Sequence, residues 1–200
     1  YWEAALALLD HLGALICLHP DLRLSDRLWQ QMRCLSRRLQ QVDHLGDLAP
    51  WQIRLELLIT AVPSAARQTV TANLQLPQSS ITRLAELATV EATLLAALPQ
   101  CDRPSQYVYH LRPYDAETLL LLSVRHPQAI GDRIWRYLTT WSLVKAPLNG
   151  NDLRRLGYRP GPAYRTMLEA LLAATLDGTL QSRAEAEAFI LNRYPLAASS

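Results

Sequence analysis

A segment near the carboxyl end of the chain, from Leu148 to Gly178, constrains the fold most because it carries helix start and stop signals in order. Asn149 or Asn151 can cap a short first helix, since a side-chain oxygen there accepts hydrogen bonds from backbone N–H groups that lack intrahelical partners. Gly157 suits the left-handed residue that ends such a helix. The segment therefore begins with a short helix closed by a glycine.

A second helix is predicted directly after this glycine. Pro160-Gly161-Pro162 forms a turn, and Pro162 is well placed at the first helical position, where a missing N–H group is harmless. Apolar residues then recur at intervals of three and four, and Gly178 ends the helix. These apolar residues are Met167, Leu168, Leu171, Leu172 and Leu176. The segment as a whole predicts helix, turn, helix.

The remainder of the chain also has helical periodicity. No stretch alternates with period two, so the predicted fold class is all-α, without a sheet. The expected helices cover about 2–17, 25–44, 49–62, 64–74, 79–98, 104–111, 115–124 and 128–143. The residues of the first helix expected to face inward are Ala5, Leu8, Leu9, Leu12 and Ile16. The second helix, capped by Ser25, should bury Leu28, Met32, Leu35 and Leu39. The third should bury Ile53, Leu57 and Leu58.

Composition indicates a soluble globular protein. Half of the 200 residues are apolar, which suffices for a core, yet no apolar run approaches the roughly 20 residues of a membrane span. Cys17, Cys34 and Cys101 are odd in number and widely spaced, which fits neither a disulfide framework nor a zinc site and favours the reducing cytoplasm. Because Tyr1 is not an initiator methionine, we expect the chain to be a fragment of a longer protein.

Charge is distributed unevenly along the chain. The net charge is only +2, but residues 103–165 contain ten basic and four acidic side chains, a net charge of +6, against −4 for the remainder. Eight tyrosines and tryptophans occupy the same window. Arginines mixed with aromatic residues are typical of surfaces that contact phosphates and stack on bases, although most of these aromatics should lie in the core. The sequence leaves open whether one contiguous basic face exists.

The pattern Leu-x-Gly-x-Asp-Leu-x-x-Leu-Gly-x-x-Pro-Gly-Pro, followed by a helix ending in Leu-Asp-Gly, resembles the carboxy-terminal signature of bacterial tRNA nucleotidyltransferases. These are the CCA-adding and A-adding enzymes, relatives of bacterial poly(A) polymerase. In several members a glycine stands where Arg165 stands here. Residues 1–18, and the stretch from Arg103 to Tyr109 with Leu119 to Leu122 after it, are similar to other parts of that family.

The resemblance implies two parts that follow the family's catalytic head and neck. Residues 1–145 would form a helical body that binds RNA, and residues 146–200 a helical tail with the Pro-Gly-Pro turn. In the family these parts lie along the acceptor stem and reach the elbow of tRNA, so the expected partner is tRNA. The head, which would bind Mg²⁺ and ATP or CTP, is expected outside this sequence, and no cofactor is expected within it.

No catalytic or metal-binding residue is predicted in this chain. The Asp-x-Asp pair that holds two metal ions in the family does not occur anywhere in the sequence. Asp43-His44 is the reverse of the His-Asp dipeptide of HD-type phosphohydrolases, and the other histidines have no ligand spacing. A Gly-x-x-x-x-Gly-Lys phosphate loop and a Gly-x-Ser-x-Gly elbow are both lacking.

The predicted function is therefore RNA binding, centred on the Pro-Gly-Pro turn. Its free N–H groups at a helix amino terminus suit a phosphate oxygen, and the neighbouring arginines and tyrosines suit phosphate and ribose contacts. Alternatively, the turn fixes only the angle between two packed helices. The predicted RNA-binding residues are Arg103, Arg136, Lys145, Arg154, Arg155, Tyr158, Arg159, Gly161, Tyr164 and Arg165.

Two other functions fit the same residues. A glycine-containing turn between two short helices also suits duplex phosphates, as in helix-hairpin-helix DNA-binding modules. A helical interaction domain without nucleic-acid affinity is the other alternative. Whether the parent enzyme adds CC, A, all three nucleotides or a poly(A) tail depends on the head and neck.

Overall fold

The computed structural model describes residues 1–42 and 48–196, and this part of the chain is all-α, with no β-strand. The predicted fold class is thus confirmed. Its α-helices are α1 (Trp2–His11), α2 (Asp26–Leu39), α3 (Pro50–Ile59), α4 (Ser64–Asn73), α5 (Gln78–Ala97), α6 (Pro104–Leu111), α7 (Ala116–Arg125), α8 (Asp132–Thr139), α9 (Gly150–Arg155), α10 (Pro162–Leu176) and α11 (Arg183–Arg193). Within the described ranges, no helix combines the length and apolar character needed to cross a membrane.

The chain divides into two compact units. The first unit consists of Tyr1–Pro99 and Tyr114–Trp135, and the second of Gln100–Pro113 and Arg136–Ser200. The predicted boundary between body and tail, at residues 145 and 146, falls within the second unit. That boundary stays a prediction.

The first unit is built around α7. The side chains from Leu119 to Leu122 are at most 1% exposed, so this helix is apolar on every side and is covered by α2, α3 and α5. Asp115 caps it, because its carboxylate accepts the N–H group of Thr118 at 2.7 Å. A short helix without a polar face is stable only inside such a layer of other helices.

Helix α2 confirms its predicted start and inward face. Ser25 accepts the N–H group of Leu28 at 3.2 Å, and the four predicted inward residues are buried. The expected end near residue 44 is wrong, because α2 ends at Leu39 and the N–H group of Gln41 donates to the Arg38 carbonyl in a tighter turn. His44 lies outside the described residues. In α3 the predicted Ile53, Leu57 and Leu58 are likewise buried.

The prediction for residues 2–17 is wrong in both length and face. Helix α1 ends at His11, and Gly13, with a φ of 67°, separates it from a 3₁₀-helix over Ala14–Cys17. The two buried side chains of this region are Leu6 and Leu15. The predicted inward residues are exposed instead: Ala5, Leu8, Leu9, Leu12 and Ile16. Leucines on both sides of α1 make its periodicity ambiguous.

The single helix expected over 128–143 is three pieces. A π-helical turn spans Pro127–Gly131, α8 follows, and a 3₁₀-helix covers Trp141–Leu143. The turn brings Gly131 so close to the carbonyl of Ser123 on α7 that a Cβ atom would overlap it. Sequence periodicity does not detect such a wide turn, because the extra residue shifts the pattern only locally.

The second unit has its own core between α9, α10 and α11, with α6 packed against α10. Met167 and Leu171 of α10 are buried as predicted, whereas Leu168, Leu172 and Leu176 are only half-buried. The core residues are Leu148, Leu153, Tyr158, Met167, Leu171, Leu180, Ala186 and Ile190. The unit is therefore a small helical cluster, and the motif segment, residues 148–178, supplies most of its core.

Candidate nucleic-acid interface

The start of the motif segment is fixed by reciprocal capping of α9. The Asn149 side-chain oxygen accepts the N–H groups of Asn151 and Asp152 at 2.8 and 3.2 Å. The Asp152 carboxylate in turn accepts the N–H group of Asn149 at 2.9 Å. Of the two predicted caps, the structure uses Asn149, and Gly157 ends the region with a φ of 96°, as expected.

Asp152 links the motif to α11. Its carboxylate is 5% exposed and accepts from Arg183 Nη2 at 2.5 Å, with Arg155 Nη1 at 3.5 Å. The N–H group of Asn149, followed by the guanidinium of Arg183, holds the pKa of Asp152 below its usual value, although burial acts in the opposite direction. Asp152 is the aspartate of the quoted sequence pattern, but its role is not evident from the sequence because its partner on α11 is 31 residues away.

Replacement of Asp152 by asparagine is expected to lower the thermal stability of the second unit at pH 7. A carboxylate whose folded pKa is lowered stabilises the fold above its unfolded pKa, about 3.9, and this contribution is lost as the pH falls through the folded value. Melting curves of the wild type and Asp152→Asn should therefore differ at pH 7 and draw together as the pH falls below about 4. Glu169→Gln, at an exposed ion pair, is the matched control and should change little. A pH-independent difference would exclude this role.

The turn at Pro160-Gly161-Pro162 offers fewer N–H donors than predicted. Pro162 occupies the first position of α10 and has no N–H group, and no side chain caps the helix. The N–H group of Tyr164 already donates to the Gly161 carbonyl at 3.0 Å. Of the first three helical positions, this leaves the N–H group of Ala163, so the surrounding side chains must supply most of any phosphate contact.

The structure separates the two predicted tyrosines by burial. Tyr158 is 8% exposed, and its hydroxyl donates to the carbonyl of Tyr194 at 2.6 Å and lies 3.2 Å from that of Ile190. Its ring is therefore a core element, which contradicts the expected stacking on RNA. Tyr164 is half-buried, and its hydroxyl donates to the Tyr158 carbonyl at 2.7 Å.

The basic side chains of the second unit are all at its surface. The unit has ten basic and six acidic residues, a net charge of +4, whereas the first unit has −2. Arg154, Arg155 and Arg159 are exposed and close in sequence around the end of α9. Arg165 is paired with Glu169 at 2.9 Å. The other predicted cations are also exposed, namely Arg103, Arg136 and Lys145. Arg136 lies over the Trp141 ring at 5.8 Å.

Tyr109 on α6 and Arg112 directly after it are further candidate residues, which are not in the predicted RNA-binding set. Tyr109 is 76% exposed and Arg112 is exposed, and both line a cleft together with Arg165. Asp177, in the Leu-Asp-Gly end of the motif, joins the two helices by accepting the N–H and hydroxyl groups of Ser105 at 2.9 and 2.8 Å. The only sequence signal for this site is the aromatic and basic content of residues 103–112.

The first unit has a polar groove between α2 and the end of α7. It has a volume of about 620 Å³ and is lined by Arg27, Arg37 and Arg125 together with three glutamines. Arg125 is engaged by Glu91 at 3.1 Å, and His126 contacts the same carboxylate. Burial raises the pKa of Glu91, but the hydrogen bond to His126 and the charge of Arg125 lower it by more. Arg27 and Arg37 are the exposed cations of this groove.

The structure has no grouping of metal ligands in its described part. Across residues 1–42 and 48–196, no three His, Cys, Asp or Glu side chains are placed so as to hold a metal ion. The polar side chains described above instead make hydrogen bonds within each unit or face solvent. The exposed arginines and the exposed Tyr109 described above can make electrostatic and stacking contacts.

Comparisons with known proteins agree with the sequence resemblance. No family model matches the chain. Over 192 residues the chain is 24% identical to an A-adding tRNA nucleotidyltransferase of Geobacter sulfurreducens. The aligned region covers 90% of this chain and 22% of that protein. The fold of this chain is similar to that of a Thermotoga maritima CCA-adding enzyme complexed with tRNA, with a TM-score of 0.66 and 17% identity. The match covers 94% of this chain and 46% of the Thermotoga chain.

These comparisons confirm the resemblance to tRNA nucleotidyltransferases across nearly the whole chain. The chain spans about a fifth of the length of the curated relative and less than half of the solved structure.

Proposed function

We propose that this chain is the tRNA-binding body and tail of a tRNA nucleotidyltransferase. A catalytic head outside this sequence, using Mg²⁺ and ATP or CTP, would add CMP or AMP to the tRNA 3′ end in the cytoplasm. The chain itself would hold the acceptor stem and elbow without taking part in chemistry. The observation that carries this proposal is the similarity to an A-adding enzyme over 90% of the chain.

The distribution of charge supports RNA as the partner. The excess of positive charge is confined to the second unit, where every basic side chain is exposed. Five of the six acidic side chains of that unit make hydrogen bonds or ion pairs within it, namely those of Asp152, Glu169, Asp177, Glu185 and Glu187. Each ion pair cancels one positive charge as well as one negative charge, so the net charge of the unit stays at +4, and this excess is carried by side chains at exposed positions.

The exposed arginines are the side chains that would contact the RNA backbone. Arg154, Arg155 and Arg159 precede the turn in sequence and would bind phosphates, releasing counterions from the RNA. Arg155 would do so beside Asp152, whose carboxylate also orients Arg183. In the first unit, Arg27 and Arg37 offer a second region for backbone contact. Such contacts read the shape and spacing of the RNA backbone, as a domain that lies along the acceptor stem would require.

Replacement of Arg154, Arg155 and Arg159 together by alanine is expected to weaken tRNA binding and flatten its salt dependence. The slope of log affinity against log salt concentration should fall by about 1 for each arginine that contacts a phosphate. Affinity is measured for the 200-residue chain at several salt concentrations, with duplex DNA of equal charge as competitor. tRNA should be preferred over DNA.

The matched control replaces the same three arginines by lysine. Because counterion release depends on charge, the lysine variant should retain most of the salt slope, even where it loses bidentate hydrogen bonds. Both variants should melt near the wild-type temperature, since the side chains are exposed. A preference for duplex DNA would favour a helix-hairpin-helix module, and a lack of RNA binding at low salt would favour an interaction domain.

A further inference from the structure

Tyr109 is unusual among the aromatic residues of the second unit because its side chain faces solvent. Its neighbour on α6, Tyr107, is 9% exposed, stacks on Trp141 at 5.4 Å, and donates its hydroxyl to the Cys101 carbonyl at 2.7 Å. Tyr109 is 76% exposed, and its ring meets that of His110 at an angle of 85°. Packing of the core therefore accounts for Tyr107 but not for Tyr109.

The Tyr109 ring stands at the edge of a cleft between α6 and α10, which we call the Tyr109 cleft. It has a volume of about 470 Å³, within the range of about 300–1,000 Å³ that small ligands occupy. Val108, Leu172 and Leu176 give it an apolar lining. The hydrogen bonds from Ser105 to Asp177 join the two helices near one end, which fixes their separation there.

Charge at the cleft favours an anionic ligand. Arg112 and Arg165 line it, and its single carboxylate, Glu169, is paired with Arg165 at 2.9 Å. The cleft thus combines an exposed aromatic ring, an apolar floor and a net positive charge. A nucleotide has the complementary parts: a flat base that stacks on an aromatic ring, and phosphates that guanidinium groups bind. An acidic peptide would satisfy the arginines but would not use the ring or the apolar floor.

Base pairs inside a duplex already have both faces covered, so only an unstacked base can enter. We propose that the Tyr109 cleft binds an unstacked nucleobase of the RNA, with its ring against Tyr109 and the flanking phosphates at Arg112 and Arg165. This inference rests on the proposed function, in which RNA is the partner. It adds a stacking site on α6 to the arginine contacts around the Pro-Gly-Pro turn.

Tyr109→Ala tests the cleft, with Tyr109→Phe and Trp51→Ala as controls. Stacking survives in the phenylalanine variant, and Trp51 is a comparably exposed aromatic residue, at 62%, in the first unit. We expect Tyr109→Ala to weaken tRNA binding by about tenfold with an unchanged salt slope, because stacking on one aromatic side chain has an effect of that size. Both controls should bind like the wild type. A fully paired RNA duplex of equal charge should bind the wild type and Tyr109→Ala equally.

Three results would overturn the proposed site. The first is unchanged tRNA affinity in Tyr109→Ala, and the second is an equal loss in Tyr109→Phe, which would assign the contact to the hydroxyl. The third is an equal loss on the fully paired duplex. Failure of the wild type to bind any RNA would instead refute the proposed function, and the site with it. If the triple arginine variant weakens binding while Tyr109→Ala does not, the function stands and only the site is refuted.

Discussion

Replacement of Leu171 by alanine is expected to lower the free energy of unfolding of the second unit by about 2–5 kcal/mol, because three buried carbon atoms are lost and a cavity is left. Leu171 is 0% exposed and lies in the core cluster with Leu153, Met167 and Ile190. The unit is small, so a loss of this size is a large part of its stability. Urea unfolding followed by circular dichroism measures it.

Leu168→Ala is the matched control on the same helix. The substitution is chemically identical, but Leu168 is half-buried at the edge of the cluster, so the expected loss is smaller. Helix propensity changes equally in both variants, and the difference between them therefore reports burial alone. Equal losses would mean that the face assigned to α10 is incorrect.

Replacement of Arg83 by leucine is expected to destabilise the first unit by about 3–5 kcal/mol, since it leaves a buried carboxylate without its partner. Arg83 Nη1 is 2.6 Å from Glu56 Oε1, and their side chains are 4% and 0% exposed. Asp115 and Glu117 lie 3.3 and 3.7 Å from the same guanidinium. Burial lowers the pKa of Arg83, but Glu56 and Asp115 raise it by more, so the guanidinium stays charged.

The double variant Arg83→Leu, Glu56→Leu separates the unpaired charge from the loss of packing. Removal of both groups leaves no charge to desolvate, so the double variant should be more stable than Arg83→Leu alone. Thermal and urea unfolding of the two variants and the wild type provide this comparison. Additive losses would show that the two groups stabilise the unit independently.

Most helix boundaries follow from local sequence, because capping residues and prolines act within one turn. Ser25 and Asn149 cap helices as the sequence predicts, Asp115 caps the helix expected over residues 115–124, and Pro50 and Pro162 begin helices. These contacts connect residues two or three positions apart, so they can be predicted from the local sequence. The all-α fold follows from the same signals, repeated along the chain.

Burial is harder to predict, because it depends on contacts distant in sequence. Tyr158 is buried against α11, and its hydroxyl is hydrogen-bonded to the carbonyl groups of Ile190 and Tyr194, which are 32 and 36 positions away. Tyr107 and Tyr109 lie on the same short helix and in the same aromatic window, yet the first is buried and the second faces solvent. In α1, apolar residues on two faces leave the inward face ambiguous, and packing buries Leu6. Local periodicity alone cannot distinguish these outcomes.

The polar and glycine residues of the motif act mainly on the protein's own backbone. Asn149 and Asp152 cap α9, Gly157 and Gly178 adopt positive φ angles, and Asp177 holds the start of α6. The arginines around them are exposed and make no contribution to the core. The signature is therefore a property of the scaffold. A chain that keeps these residues can therefore exchange its exposed arginines, and with them the charge of its surface, without losing the backbone hydrogen bonds that cap α9 and hold α6.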